Sequence, residues 1–269
     1  MRAQNLTISI PYVGCDKDCP YCVSKMTGYM KSWPDLMWTK ADKVYNLAKA
    51  ANVTSVLFTG KGEPLLNRKI LLSLIRKFSD WPIEVQTNGI WLSKNLQFLD
   101  QLAVDGADII AVSIDTMKQF WDYNHLFRAI KRRGMVVRVC MNVTGLLGDD
   151  SFFNLFNMLT REKLVDQILF RNITVPNNTS KEHSAAKWIV ENVDEHHYSD
   201  LYHQLMDSHP HEIRTLPDGT KVYDVSGVSV TFSDYCIQDS NDSDDIRSLI
   251  FQEDGHVYTS WNSKASILF

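Results

Sequence analysis

No stretch of the 269-residue chain approaches the roughly 18 consecutive apolar residues of a membrane-spanning helix, so no helical span is expected. Cysteine is scarce, and its odd count of five argues against a disulfide framework. The opening residues, MRAQNLTISIP, have neither the apolar run nor the small-residue cleavage site of a secretory signal. These absences lead us to expect a cytoplasmic protein with reduced thiols. An excess of positive charge is missing too. Against 32 acidic residues stand 28 Lys and Arg, a net charge of −4, which gives no electrostatic case for nucleic acid or an anionic membrane. The one short basic run, IKRRG (130–134), closes a predicted helix, where cations complement the helix dipole. What is present is ordinary for a globular protein, 44% hydrophobic and 22% charged residues. The length suits one large domain, or one with an appendage, and a core that needs no covalent staples.

Up to residue 176 two textures alternate. Short β-rich runs occur at 6–11, 55–60, 83–89, 108–115, 135–143 and 167–175. Between them lie stretches with helical spacing: Val44, Leu47, Ala48 and Ala51, then Ile70, Leu71, Leu74, Ile75 and Phe78, then Leu96, Leu99, Leu102 and Ala103. Ser93 is a candidate N-cap for the third. Phe152, Leu155, Phe156 and Leu159 give a further apolar face after Asp149 and Asp150. Strands alternating with helices predict an α/β fold of parallel βα units, and six units, fewer than the eight of a closed barrel, predict a partial (β/α)6 barrel over 1–176. The strands read as near-continuous apolar runs, which predicts helices on both faces. Sites in such folds sit at the C-terminal strand ends. After Pro176 come a loop, NNTSKE, about thirty helical residues, and two hairpin patterns with Asp-Gly turns, IRTLPDGTKVYDV and RSLIFQEDGHVYTSW. We therefore expect a C-terminal extension over 177–269, helical and then β-hairpin.

The chemistry concentrates in GCDKDCPYC, Gly14 to Cys22, which packs Cys15, Cys19 and Cys22 into eight residues. Thiolates favour soft metals, and this C-x3-C-x2-C spacing in a loop can present three sulfurs to one face of a cubane iron–sulfur cluster. Three ligands to four irons leave one iron open, the logic by which catalytic metal sites keep a free position. A structural zinc site needs a fourth ligand, and no Cys or His follows at finger-like spacing; a metal-free cysteine cluster is the other reading. Cys140, in a predicted strand, and Cys236, after one, read as core residues.

CDKDCPYC resembles the C-x3-C-x-aromatic-C motif of the radical S-adenosylmethionine (radical SAM) enzymes, with Tyr21 as the aromatic and the motif placed directly after the first strand. Further motifs agree. FTGKGEPLLN resembles the Gly-Gly-Glu-Pro of that family: Gly62, Glu63 and Pro64 match, and Lys61 stands in place of the first Gly, able to reach substrate or solvent. QTNG resembles the family's Thr-Asn-Gly at the third strand end, and AVSID its polar pair at the fourth, matched by Ser113 and Asp115. Arg138 and Asn142, even-spaced on the fifth strand, are candidates for the cofactor carboxylate or for substrate. FRNITVP on the sixth would meet adenine through its backbone. The hairpin RSLIFQEDGHVYTSW resembles that of a SPASM or twitch extension, but it carries no cysteine, with Trp261 where one would stand. One cluster per chain is therefore expected.

The resemblance implies the following. Cys15, Cys19 and Cys22 would hold a [4Fe-4S] cluster as its metal ligands. Tyr21, Gly62, Glu63, Ser113, Asp115, Arg138 and Asn142 would line the S-adenosylmethionine site. Reductive cleavage of that cofactor would yield a 5′-deoxyadenosyl radical, which abstracts hydrogen from a small-molecule or peptide substrate. An external one-electron reductant such as flavodoxin or ferredoxin would be a partner. The rival readings are a glycyl-radical-enzyme activase and a non-enzymatic iron–sulfur sensor or electron carrier. The acidic balance and the lack of a stacking module disfavour a nucleic-acid substrate. Histidines 183, 196, 197, 203, 209 and 211 read as a solvated surface, in which His203 and Asp207 form the one i, i+4 pair. The aromatic-rich MTGYMKSWPDLMW beyond the cysteines either walls the cluster off from water or packs on the barrel.

Overall fold

The computed structural model describes residues 2–177, 179–180, 182–216, 219–233, 246–261 and 263–269. Strands β1 (Ala3–Ser9), β2 (Ser55–Thr59), β3 (Ile83–Thr87), β4 (Ile109–Ile114), β5 (Val136–Val143) and β6 (Gln167–Asn172) lie side by side in sequence order, all parallel. Helices α1 (Val23–Thr27) and α2 (Pro34–Ala50) follow β1, α3 (Arg68–Lys77) follows β2, and α4 (Ile90–Lys94) with α5 (Phe98–Asp105) follows β3. Helices α6 (Met117–Asp122) and α7 (Asn124–Lys131) follow β4, and α8 (Phe152–Thr160) follows β5. The residues beyond 176 supply α9 (Ser184–Asn192), α10 (Glu195–Asp207) and five strands: β7 (His211–Thr215), β8 (Lys221–Val225), β9 (Val228–Ser233), β10 (Ile246–Phe251) and β11 (Val257–Tyr258).

These late strands widen the sheet at both edges. β9 pairs parallel with β6, and β8 and β7 follow it antiparallel; on the far edge β10 pairs parallel with β1, and β11 antiparallel with β10. The α/β fold with its parallel sheet is as expected, but eight strands rather than six are mutually parallel, from β10 through β1–β6 to β9. Both hairpins form. A hairpin signal reports only the local partner, whereas the parallel partner of β10 comes from the other end of the chain. β9 is missing from the sequence-based expectation because its turn is Ser226-Gly227, both left-handed with φ 52° and 83°, rather than an Asp-Gly or Asn-Gly pair. Asp218 and Cys236 lie outside the described residues.

The sheet has one apolar and one polar face, which corrects the expectation that both are covered. On one face Leu6, Ile8, Val56, Phe58, Val85, Ile110, Val112, Val137, Val139 and Phe170 are fully buried beneath the helices. The alternate residues form in-register rows across the other face. One row runs Gln86, Ala111, Arg138, Gln167, Ser229; the next Ser113, Cys140, Leu169, Thr231; the third Asn142, Arg171, Ser233. Most of these are only half-buried. Their strands alternate, apolar then polar, so the apparent continuity of the runs concealed a period of two.

Helix α3 buries Leu71, Leu74, Ile75 and the following Phe78, as its spacing predicts. Ser93 is not the cap of α5: it lies inside α4, its hydroxyl returned to the Ile90 carbonyl at 2.9 Å. Ser151, not Asp149 or Asp150, caps α8 by accepting the Asn154 amide. The basic run after α7 is spent on the surface, where Lys131 pairs with Asp166 and Arg133 with Asp100. A second, small core joins Tyr21, Ile173 and Ile189, with Cys19, Met26, Val175 and Trp188 against it, where the loop after β1 meets α9 and the segment after β6. No helix among the described residues is long and apolar enough to cross a membrane.

Candidate functional site

The loop between β1 and α2 carries the three cysteines over the C-terminal ends of the neighbouring strands. The Cys22 amide donates to the Cys19 carbonyl at 3.3 Å, and Cys22 then stands at the N-terminus of α1, its carbonyl taking the Lys25 amide at 3.1 Å. All three are free thiols. Burial pushes the Cys19 thiol up to about 11 and raises Cys15, and the neighbouring Cys22 adds to both. Among the described residues no three His, Cys, Asp or Glu side chains converge on a point that would hold a single ion. Three thiols carried on one loop are the donor chemistry that an iron–sulfur cluster takes.

The loop between β2 and α3 is packed directly beneath. Gly62 has no room for a side chain: a Cβ would lie 2.2 Å from the Gly14 carbonyl oxygen and 2.8 Å from the Tyr12 ring. The next residue donates its amide to that same Gly14 oxygen at 3.1 Å. This next residue is Glu63, 4% exposed, whose Oε1 accepts from the Leu65 amide (3.1 Å) and the Thr87 hydroxyl (2.8 Å), and whose Oε2 accepts from the Asn88 amide (2.9 Å). Burial pushes its carboxyl up to about 7 despite these donors. A carboxylate so poised gains full charge when a cation arrives beside it. Asn88 also ties β3 to the cysteine loop, its Nδ2 lying 2.8 Å from Asp16 Oδ1 and 3.8 Å from Cys15 Sγ.

The other half of the site gathers at the ends of β4 and β5. Asp115 accepts from the Tyr21 hydroxyl, from Asn142 Nδ2 at 2.9 Å and from Lys17 Nζ at 2.7 Å. Burial works to raise its carboxyl, and Lys17, Tyr21 and Asn142 together hold it below the ordinary value. Burial and the facing Asp115 drive the Tyr21 phenol far up, so it stays protonated and donates. The Tyr21 ring packs on Trp188 of α9 with centroids 5.5 Å apart. Asn142 Oδ1 is buried with no partner among the described residues, an acceptor left free for a bound group.

Of the residues expected at the site, the three cysteines, Tyr21, Gly62, Glu63, Asp115 and Asn142 come together in these two halves. Ser113 lies one residue pair below Asp115, half-buried, its carbonyl held by Gln119 Nε2 at 3.2 Å. Arg138 is not brought to the rim. It sits four residues before Asn142, about 13 Å down the strand, ion-paired with the buried Glu84 and bonded to Gln167 at 2.7 Å. Lys61, half-buried, turns back on the cysteine loop and donates to the Gly28 carbonyl (2.5 Å) and Thr27 Oγ1 (3.3 Å). Residues that sequence reasoning did not single out are Lys17, in the spacer between two cysteines, Trp188, and Asn88. The Thr-Asn-Gly match was the signal for Asn88; spacing alone carried none for Lys17. Of the aromatic run, Met26 joins the small core and Tyr29 packs on Tyr12 at 4.3 Å, while Trp33 and Trp38 are exposed.

Residues 9–150 match the Radical SAM superfamily, and with the cysteine loop and Gly62-Glu63 in place the chain belongs to it: an enzyme of the radical SAM class, using a [4Fe-4S] cluster and S-adenosylmethionine. Among characterised relatives, it is 33% identical over 108 residues to the GTP 3′,8-cyclase of Clostridium acetobutylicum, covering 39% of this chain and 32% of the cyclase. It is 33% identical over 91 residues to the 7-carboxy-7-deazaguanine synthase of the same organism, covering 33% of this chain and 40% of the synthase. The chain thus spans well under half of either relative. Among solved structures, the fold is similar to that of native anSMEcpe with bound AdoMet and Kp18Cys peptide, with a TM-score of 0.63 at 14% identity over 99% of this chain and 77% of the other. It is similar also to that of Streptococcus suis SuiB bound to S-adenosylmethionine, with a TM-score of 0.60 at 14% identity over 96% and 60%. At these identities the likeness is one of fold.

Proposed function

We propose that the chain abstracts hydrogen from a polar small molecule or a peptide side chain that enters along the polar face of the sheet. The observation that carries this is the convergence of the three thiols, Glu63 and the Asp115–Asn142 pair at one end of β2–β5, directly above rows of half-exposed polar residues. Cys15, Cys19 and Cys22 would hold the cluster. When bound, the cluster and S-adenosylmethionine supply a one-electron cleavage that delivers the hydrogen-abstracting 5′-deoxyadenosyl group. The protein's own part is to bind, orient and exclude water. Glu63, ionised on meeting the ammonium of the methionine moiety, fixes that end, and Gly62 lets the two loops close on it. Asp115, Asn142 and Ser113 offer acceptors to ribose hydroxyls, with the free Asn142 Oδ1 foremost. Tyr21 and Trp188 close the site from above. Arg138, too deep for the cofactor, faces the substrate from the floor, beside Glu84, Gln86 and Gln167, and selects for polar groups. A flavodoxin- or ferredoxin-type donor would supply the electron. A peptide is a reasonable substrate class because SuiB has been solved with its precursor peptide and shares this fold, at 13% identity.

The test is anaerobic reconstitution followed by reduction with S-adenosylmethionine. The protein should bind about four irons, the content of one cubane cluster, and release 5′-deoxyadenosine. A fully loaded, reduced sample that releases none would favour the sensor or electron-carrier reading.

A further inference from the structure

We infer that Glu253, in the turn of the β10–β11 hairpin, is a positioning residue that latches the cysteine loop in its cluster-binding shape. Glu253 is completely buried, unusual for a carboxylate at a hairpin turn. Its Oε2 accepts the Tyr12 amide at 2.7 Å, while its Oε1 is buried with no hydrogen-bond partner among the described residues. Its own carbonyl accepts the Trp33 amide at 2.7 Å. Tyr12 lies three residues before Cys15, and Trp33 lies beyond Cys22. A single residue thus joins the entering and leaving stems of the loop, so that the three cysteines are carried on a closed lobe rather than on an open excursion of about twenty residues, whose ordering entropy would otherwise oppose binding.

Lys61 completes the arrangement from the other side. It fastens the leaving stem at Gly28 and lies near enough to Glu253 for each charge to favour the other. Asn67 Nδ2 holds the entering stem at the Pro11 carbonyl, 3.1 Å away. The cost of burying the carboxylate is offset in part by the Tyr12 amide and the nearby Lys61 ammonium. This assigns a role to two features that the radical chemistry leaves unused: the cysteine-free terminal hairpin and the Lys in place of the first motif glycine. It rests on the three cysteines being the cluster ligands, but the loop geometry itself can be tested without the cluster.

The experiment compares full-length Glu253→Ala, Glu253→Gln and Lys61→Met with the unmodified protein. Amide hydrogen exchange is measured on the cluster-free chain, and iron uptake during anaerobic reconstitution. Losing a charge-assisted hydrogen bond should speed exchange at the Tyr12 amide of Glu253→Ala by about tenfold or more, with β1–β6 unchanged. Iron uptake should be slower and incomplete, and the electron paramagnetic resonance signal of the reduced cluster broadened. Glu253→Gln keeps an oxygen acceptor and should restore most of both. Lys61→Met leaves the hairpin intact and should loosen only residues 27–30, which keeps the test open if Glu253→Ala does not fold. Exchange and iron uptake unchanged in Glu253→Ala would overturn the latch, as would equal loosening of β1–β6, or a Gln variant no better than Ala. If the unmodified protein takes up no iron, the cluster assignment fails, while the exchange result still decides the latch.

Discussion

The two faces of the same sheet are built for different work. On the helix-covered face, Val56, Phe58, Val85, Val112 and Val139 have no exposed surface, and each of β1–β5 contributes two or three such residues to a single core. On the opposite face the in-register neighbours include Glu84, Gln86, Ser113, Arg138, Asn142 and Arg171, most of them half-exposed. One face holds the core of the fold and the other leaves polar groups accessible. The sheet can divide its labour because successive side chains point to opposite sides. Where the polar face must carry buried charge, it does so in pairs, Glu84 with Arg138 and Asp115 with Lys17. Residues of this face therefore contribute less to the core than their alternate neighbours do.

Substitutions can test that division. The largest effect is expected at the loop above the polar face. Cys19→Ser should abolish iron binding and 5′-deoxyadenosine release, whereas Cys140→Ser, at a thiol buried in β5, should keep its iron; iron analysis and absorbance of the reconstituted proteins decide it, and the reverse outcome would sink the ligand assignment. Next in size is the core. Phe58→Ala should cost about 3–5 kcal/mol in denaturant unfolding of the cluster-free chain. Asn142→Ala should cost about 1 kcal/mol yet weaken S-adenosylmethionine binding to the loaded enzyme about tenfold, the ratio that one lost hydrogen bond gives. Equal destabilisation by the two would collapse the contrast between the faces.

A further effect is a pH dependence. Glu63 has its folded carboxyl raised from 4.5 to about 7 by burial, so between those values the folded protein binds more protons than the unfolded chain. Its contribution is fully favourable below about 4.5 and is lost as pH rises through about 7, a fall on the order of 3 kcal/mol at most in the cluster-free protein. Glu63→Gln, which cannot ionise, should flatten that fall, as read from unfolding midpoints between pH 4 and 8. An unchanged slope would place the raised carboxyl elsewhere.

Much of this was legible beforehand, for reasons that can be named. The six central strands and the helical faces of α2, α3 and α8 follow from local periodicity, and periodicity is local because burial repeats with the strand or helix that carries it. The cysteine motif and Gly62-Glu63 were readable because their chemistry needs those residue types at close spacing. Arg138 was misplaced because even spacing puts it on the same face as Asn142 without saying how far down that face the rim lies. Lys17 was overlooked because spacer residues between ligands carry no pattern, and its partner Asp115 comes from a strand nearly a hundred residues later.

The sequence alone pointed to the six central strands, the apolar faces of α2, α3 and α8 and the candidate cluster thiols, since each depends on residues near one another in the chain. Tertiary structure alone decided that β10 lies against β1 and β9 against β6, that Lys61 turns back to Gly28, and that Glu253 reaches both stems of the cysteine loop. Those contacts join distant segments whose hydrogen-bonding groups carry no record of their partners. Only the folded sheet, by fixing which edges and loops are neighbours, brings them within reach.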